Sequence, residues 1–354
     1  MSMKKKYVDI LLIAVAVLLN ACSSDDSGAQ PDPTDNKPVK KEIQVMTYAS
    51  QFAETALSRR AAPTGFSEYT PDKNTNMGIY MLLQENWASP KLERITYYTS
   101  TGKWNAYFEV EKNKTFTVYG YMPKTEGMAS TLTKSIADAA TLTITGIKPV
   151  TIDDICIITG VNDTDSGLKE GQFSWSTPME EVETYFISIL MDHLYAAAQF
   201  RLKIDAEYAA LRTIKLKTMT LSTNKGSVNA TVTLKHNDTG ASPVFSVEYT
   251  PSGDSDEIII FNSDEGVALD KTTPLDINAC FAPTLSANLT LVTTYDVYDS
   301  KGNLIRENST ATNKLPNLEA IRGQRVQLYL TVNPTYLYVL SEPDLDNPTI
   351  TVEN

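Results

Sequence analysis

The sequence is poor in the residues on which most enzymes rely for chemistry. Its 354 residues include only two histidines and three cysteines, so few catalytic sites can be built from imidazole or thiol groups. Basic residues are outnumbered as well, with 31 Lys and Arg against 43 Asp and Glu and a net charge of −12. No basic tract offsets this excess, and the balance argues against a nucleic-acid partner.

The sequence also lacks an apolar run long enough to cross a membrane. The run at residues 10–19 is shorter than the roughly 20 residues that a spanning helix needs. Lysines occupy positions 4–6 before it, as in a signal peptide. The run leads into Leu19-Asn20-Ala21-Cys22, which resembles the bacterial lipobox. The resemblance implies removal of residues 1–21 and lipidation of Cys22; the alternative is an ordinary secretory signal followed by a chance cysteine.

Residues 22–41 are predicted to form a flexible acidic tether. Four aspartates and three prolines lie in this segment, and no bulky apolar residue precedes Val39, so the segment cannot pack into a core. Acidic residues directly after a lipidated cysteine are similar to the surface-export signal of Bacteroidota lipoproteins. The resemblance implies a place on the outer membrane at the cell surface, and a merely solvated linker is the equal alternative.

The remaining chain has the composition of a folded protein, with 42% hydrophobic and 21% charged residues. Apolar residues recur at every second position, as in Trp104, Ala106, Phe108 and Val110, which is typical of half-buried antiparallel strands. Its length favours two domains. We therefore predict an all-β fold of two tandem antiparallel β-sandwiches, at residues 42–178 and 179–354, with a C-terminal extension from about residue 333.

Two segments depart from this simple period. Residues 182–198 have apolar spacings of three and four, which favours a helix, although their β-branched and aromatic residues suit a buried strand. The sequence therefore allows either a helix or a strand at residues 182–198. In residues 214–221 the apolar parity slips between Leu216 and Met219, which predicts a β-bulge.

Five parts of the chain form a recognisable set of motifs: Ile43-Gln44-Val45-Met46, Ser58-Arg59-Arg60-Ala61, Asp153-Asp154-Ile155-Cys156, Asp192-His193-Leu194-Tyr195-Ala196-Ala197 with Phe200-Arg201-Leu202-Lys203-Ile204, and Gly323-Gln324-Arg325-Val326-Gln327-Leu328-Tyr329-Leu330. Together they resemble the fimbrillin family of Bacteroidota, the two-domain pilins of type V pili and their tip and anchor lipoproteins. The resemblance implies two transthyretin-like sandwiches and secretion as a lipoprotein.

The resemblance also implies a mode of assembly. An arginine-specific protease would cut at Arg59 or Arg60 and release the first strand, around residues 42–48. Another pilus subunit would then fill the groove with its C-terminal extension, here residues 333–354, by β-strand addition. Two alternatives stay open: the extension could instead complete its own domain, and family anchors lack productive processing.

Candidate sites for chemistry are weak in this sequence. Neither His193 nor His236 neighbours a nucleophile motif, so both are interpreted as structural. The acidic loop at residues 162–167 fails the EF-hand spacing. Cys156 and Cys280 could pair in an oxidising compartment, but their apolar surroundings favour buried thiols. We predict no enzyme activity, no cofactor and no metal.

The main rival interpretation is a surface lipoprotein that binds glycans on exposed aromatic rings. Among 18 tyrosines and three tryptophans, most rings are expected to pack within sheets. Trp87, in the stretch Glu85-Asn86-Trp87-Ala88-Ser89-Pro90, is the best candidate for such a platform.

Overall fold

Alternating apolar and polar residues form strands along almost the whole described chain. The computed structural model describes residues 40–54, 65–85, 90–136, 139–236, 245–283, 289–315, 321–336 and 343–353. These ranges contain 24 strands and one helix, α1 (Ala206–Leu211). The strands are β1 (Lys40–Ser50), β2 (Ala53–Glu54), β3 (Phe66–Glu68), β4 (Thr75–Leu83), β5 (Leu92–Tyr98), β6 (Lys103–Asn105), β7 (Tyr107–Glu109), β8 (Thr115–Met122), β9 (Ala129–Ile136), β10 (Ala139–Ile147), β11 (Val150–Thr151), β12 (Cys156–Asn162), β13 (Ser174–Ser176), β14 (Tyr185–His193), β15 (Ala196–Ile204), β16 (Arg212–Thr223), β17 (Ser227–Lys235), β18 (Phe245–Ser252), β19 (Asp256–Ala268), β20 (Leu275–Phe281), β21 (Leu289–Asp299), β22 (Leu304–Leu315), β23 (Gln324–Tyr336) and β24 (Pro343–Glu353).

The largest sheet, sheet I, closes on itself. Its strand order is β3-β1-β14-β12-β8-β4-β5-β6, with β13 on β8 and β7 on β1. Residues 103–109 close the ring, because β6 pairs with β5 while β7 pairs with β1. Alternate side chains of these strands form one buried cluster that includes Ile43, Met77, Val118 and Trp175. β1 therefore lies in the wall around this core.

Sheet II packs on the other face of sheet I and has the order β18-β17-β10-β9. Tyr119 and Tyr121 of β8 meet Leu142 and Ile144 of β10 and Val232 of β17 in a second buried cluster. Neighbouring residues of β8 thus serve different cores, since successive side chains of a strand point to opposite faces.

Sheets III and IV form the other sandwich. Sheet III has the order β11-β20-β15-β23, and both β2 and β24 pair with β23; sheet IV has the order β19-β16-β21-β22. Their shared core includes Phe200, Leu216, Leu291 and Leu330, none more than 1% exposed. Full burial of one such side chain contributes about 1.5–3 kcal/mol relative to its exposure.

Strands pair across the predicted domain boundary at residues 178 and 179. β14 follows the boundary but pairs with β1 and β12 in sheet I, and β17 pairs with β10 of the preceding half. Conversely, β2 and β11 join sheet III. The boundary therefore does not separate the sheets, and all described residues belong to one compact unit, Val39–Asn354.

Residues 182–198, for which the sequence allowed either a helix or a strand, contribute to β14 and β15. Seven of the nine residues of β14 are buried, because one of its faces lies against the ring core and part of the other is also covered. A strand buried on both faces loses the alternation that would identify it. The bulge prediction is confirmed: the register of β16 shifts between Leu216 and Thr218 against both neighbours.

The predicted all-β class is confirmed, and most strand pairs are antiparallel. The parallel pairs are β1 with β14, β15 with β23 and β2 with β23. Glycine provides the tight turn at Gly102 between β5 and β6, where φ is +65°. No helix in the described ranges is long and apolar enough to span a membrane.

Candidate functional site

The candidate site is the N-terminal segment, which we define as residues 40–54, together with the strands that hold it. β1 runs parallel to β14, from the pair Ile43–Tyr185 to the pair Ala49–Met191. Its other edge pairs with β7 at its start and with β3 at its end. The Ile43 amide also donates to the Ala106 carbonyl at 2.9 Å. β1 is therefore hydrogen-bonded along both edges, like a central strand.

One face of β1 contributes to the ring core. Ile43 is 0% exposed and Val45 packs against the same cluster, whereas Met46 on the outer face is 44% exposed. The Thr47 hydroxyl is buried and donates to the Tyr69 carbonyl at 2.6 Å. Loss of β1 would uncover this apolar face and leave backbone groups without partners.

The end of β1 is held by an aromatic contact. Tyr48 is buried with Leu168 and Leu190, and its ring meets Phe66 of β3 edge-on at 5.9 Å. Burial raises the pKa of the Tyr48 hydroxyl. Because β3 follows the predicted processing loop, this contact joins residues on the two sides of the loop.

The start of β1 carries an ion pair. Lys41 Nζ lies 2.8 Å from Glu181 Oε1. The hydrogen bond with Glu181 raises the pKa of Lys41 and lowers that of Glu181. The pair is exposed to solvent and contributes little to stability. Burial of the apolar face of β1 and its backbone hydrogen bonds therefore stabilise the strand in the sheet more than this ion pair does.

After β1 the chain crosses to the second sandwich. Ala53 and Glu54 form β2 and pair with Gln324 and Arg325 of β23. The ring of Phe52 stacks on His193 at the end of β14, with centroids 3.6 Å apart and planes at 16°. The N-terminal segment therefore contacts both sandwiches.

The site residues predicted from the sequence lie outside the described residues. These are the lipidation site Cys22, the processing residues Arg59 and Arg60, and the possible glycan platform Trp87. In the sequence, Arg59 and Arg60 fall between β2 and β3. A cut at either residue would separate the N-terminal segment covalently from the rest of the described chain.

The C-terminal extension pairs with its own sandwich. β24 runs antiparallel to β23, from Tyr329–Glu353 to Tyr336–Pro343. Ile350 is 4% exposed and belongs to the core between sheets III and IV, and its carbonyl accepts a hydrogen bond from Asn313 of β22 at 2.8 Å. β24 and β2 occupy the same edge of β23, because β15 takes the other edge. Of the two alternatives for this tail, the structure has the one in which it completes its own domain.

Sequence reasoning missed a polar cluster at the junction of β12 and β14. Asp154 Oδ2 lies 2.7 Å from His193 Nδ1 and 3.1 Å from Cys156 Sγ. The strand register brings this about by placing Cys156 directly opposite His193. Burial, followed by the charge of Asp154, raises the pKa of Cys156 well above its usual value. The sequence signal was weak, since only Asp154 and Cys156 are neighbours in the chain.

The cysteines and the remaining candidate residues lie in the core or in turns. Cys156 and Cys280 are buried free thiols in sheets I and III, as predicted. His236 follows β17, and its ring contacts Phe173 and Tyr119, whose hydroxyl hydrogen-bonds to Nε2. In the acidic loop, the Asn162 amide donates to the Thr164 carbonyl, which is a turn contact.

Neither a protein-family model nor a curated protein matches this chain. Solved structures do show similarity. A candidate cell-adhesion protein from Bacteroides uniformis has 14% identity and a TM-score of 0.39, covering 91% of this chain and 99% of that one. A second, from Bacteroides fragilis, has 10% identity and a TM-score of 0.41, covering 89% and 97%. The fimbrial anchor protein Mfa2 from Porphyromonas gingivalis has 11% identity and a TM-score of 0.26, covering 88% and 98%.

Proposed function

We propose that this protein is a structural or adhesive subunit of a cell-surface pilus that assembles by exchange of its N-terminal strand. One observation carries the proposal. β1 is built into the wall of sheet I with hydrogen bonds on both edges, yet its link to the rest of the described chain is the short segment with Arg59 and Arg60. A single cut there turns a central strand into a separable peptide.

Release of the N-terminal segment would leave strand edges unpaired in two sheets. In sheet I, one edge of β14 and the edges of β3 and β7 would lose their partner, and the core around Ile43 would be uncovered. In sheet III, the start of β23 would lose β2. Unpaired edges beside an apolar groove bind an added strand through main-chain hydrogen bonds, and alternate side chains set its register.

The C-terminal extension, residues 333–354, is the proposed donor. Ile350 and Val352 alternate with Thr351, the pattern that a groove with one apolar face requires. In the monomer the same alternation serves the sandwich of sheets III and IV, where Ile350 is buried. A subunit that donates this strand loses the packing of Ile350. Binding of the strand in the acceptor groove must therefore contribute at least as much stabilisation.

Lipidation of Cys22 would place the precursor on the outer membrane before processing. The acidic stretch from residue 22 to residue 41 would then act as the tether between the lipid and β1. Because Cys22 precedes Arg59 and Arg60, the same cut that frees the groove also frees the subunit from its lipid. Processing and release for assembly would thus be one event, and other pilus subunits are the proposed partners.

The decisive experiment treats the purified full-length chain with an arginine-specific protease and follows its size by gel filtration and electron microscopy. We expect cleavage at Arg59 or Arg60 followed by polymers, because the open groove captures a strand in trans. The matched control is Arg59→Ala with Arg60→Ala, which should remain an intact monomer. A synthetic peptide of residues 40–54, added during cleavage, should reoccupy the groove and suppress the polymers.

Two variants of this peptide distinguish groove filling from unspecific effects. Ile43→Asp places a charge on the buried face and should abolish inhibition, whereas Met46→Asp alters the exposed face and should inhibit like the parent peptide. If the chain is cut at Arg59 or Arg60 and stays monomeric, the proposal of assembly by strand exchange is wrong.

A further inference from the structure

Three different ligand atoms converge where β12 begins and β14 ends. Asp154 Oδ2, Cys156 Sγ and His193 Nδ1 form a triangle with edges of 2.7, 3.1 and 3.9 Å. They come from two neighbouring strands and the residues just before β12, whose positions are set by the pair Cys156–His193. Cys156 and His193 are 2% and 4% exposed, so the triangle lies inside the protein.

We propose that Asp154, Cys156 and His193 form a binding site for Zn²⁺ or a similar transition-metal ion. Tetrahedral zinc holds sulfur at about 2.3 Å and nitrogen or oxygen at about 2.0–2.2 Å, which places its ligand atoms about 3.3–3.6 Å apart. Each edge of the triangle is within about 0.6 Å of that range. Small side-chain rotations would therefore suffice to admit the ion.

The donor set indicates which ion fits. Thiolate and imidazole suit zinc and related transition metals, whereas calcium and magnesium require mostly oxygen ligands. One carboxylate and one thiolate balance the charge of a divalent ion, so the buried site would be neutral. On binding, the Cys156 thiol would release its proton to solvent, and His193 would bind through Nδ1 as the neutral imidazole with its proton on Nε2.

The carboxyl group of Asp154 offers further coordination and a route of entry. Within the described part of the chain, its Oδ1 atom is buried without a hydrogen-bond partner, so the group can bind the ion through both oxygens. Asp154 also borders a cavity of about 350 Å³ that Asp72 and Asp153 line as well. Lys73, in the same wall, is paired with Asp153. An acidic cavity of this kind raises the local concentration of cations.

Ring stacking and hydrogen bonds fix the position of His193 in the cluster. Phe52 covers the His193 ring, and Arg322 anchors the strand end by donating to Asp192 Oδ2 and to the His193 carbonyl, at 2.7 and 2.9 Å. A metal site gains affinity when surrounding contacts fix its ligands in this way. The alternative is a cluster of hydrogen bonds with a purely structural role, and the two differ in whether the protein binds metal.

The test uses the full-length chain with Cys22→Ser, so that Cys156 and Cys280 are its only thiols, and titrates it with Co²⁺ as a spectroscopic probe of the zinc site. We expect one equivalent to give visible absorption and a thiolate-to-cobalt charge-transfer band, both removed by Zn²⁺. The additional change Cys156→Ser should abolish the charge-transfer band. Cys280→Ser removes the other buried thiol and should leave the band intact.

A milder variant guards against misfolding of the cysteine variants. Asp154 is partly exposed, so Asp154→Asn should keep the fold; because Asp154 is itself a proposed ligand, Co²⁺ binding should weaken by at least about 10-fold, the smallest loss typical of residues that only orient a ligand. Unchanged affinity in this variant, persistence of the charge-transfer band in the folded Cys156→Ser variant, or absence of the band in the folded parent chain would each overturn the proposal.

Discussion

Phe52 and His193 stack face to face, with ring centroids 3.6 Å apart and planes at 16°. Phe52 belongs to the N-terminal segment, whereas His193 ends β14. Arg325 lies over Phe52, with its guanidinium carbon 5.4 Å from the ring centroid. The contact therefore links the N-terminal segment, which we propose is released by processing, with the junction of the two sandwiches.

Truncation of this ring should loosen the N-terminal segment. Phe52→Ala is expected to lower the free energy of unfolding by about 2 kcal/mol, through lost burial and stacking. Urea unfolding measures the change. The exposed neighbour Gln51 provides the control, and equal losses in Phe52→Ala and Gln51→Ala would contradict a specific role for the stack.

The two faces of β1 should respond differently to truncation. Ile43→Ala removes a side chain that is 0% exposed and should cost about 2–5 kcal/mol. Met46→Ala, three residues along the same strand but 44% exposed, should change stability by less than about 0.5 kcal/mol. Thermal unfolding of both variants tests the burial pattern; similar melting temperatures would show that β1 is not packed as described.

The C-terminal strand should stabilise its own subunit before assembly. Ile350 is 4% exposed in the core between sheets III and IV, so Ile350→Ala should cost about 2–4 kcal/mol. Thr349 lies beside it and is exposed, and Thr349→Ala is the matched control. Denaturant unfolding of the monomer decides: no loss in Ile350→Ala would mean that β24 does not complete its own sandwich.

Asp270 should contribute to stability in acid. Hydrogen bonds from Thr272 and Thr273 lower its pKa to about 2, below the value of about 3.9 in an unfolded chain. Its contribution is therefore present above about pH 4 and is lost as the pH falls toward 2. Asp270→Ala should reduce stability at pH 7 and flatten the pH dependence in that window.

The check is a series of unfolding curves between pH 2 and pH 7, with Asp163→Ala in another exposed loop as the control. A variant at Asp270 that keeps the acid dependence of the parent chain would show that the hydrogen-bonded loop makes no such contribution.

Lipidation at Cys22 predicts a simple labelling result. Cells grown with a labelled fatty acid should mark the parent protein and not Cys22→Ser, because the thiol is the site of acylation. Cys280→Ser is the control for loss of a cysteine elsewhere and should be labelled normally. Labelling of Cys22→Ser at the level of the parent would exclude the lipoprotein interpretation.

The strand content was a property that the sequence determined by itself. Period-two alternation and turn glycines such as Gly102 depend on residues close together in the chain, and the bulge in β16 was visible as a slip of parity between Leu216 and Met219. Local patterns report which residues form a strand and which face they bury. They do not indicate which other strand pairs with it.

Strand partnership was decided only by the tertiary structure. The parallel pairing of β1 with β14 and the pairing of β17 with β10 join residues far apart in the chain, and both cross the boundary expected at residue 178. The register between β12 and β14 likewise brings Cys156 opposite His193. A sheet edge accepts any strand of suitable length and alternation, so the choice among partners depends on how all the sheet faces pack together. The position of the polar cluster depends on that choice as well.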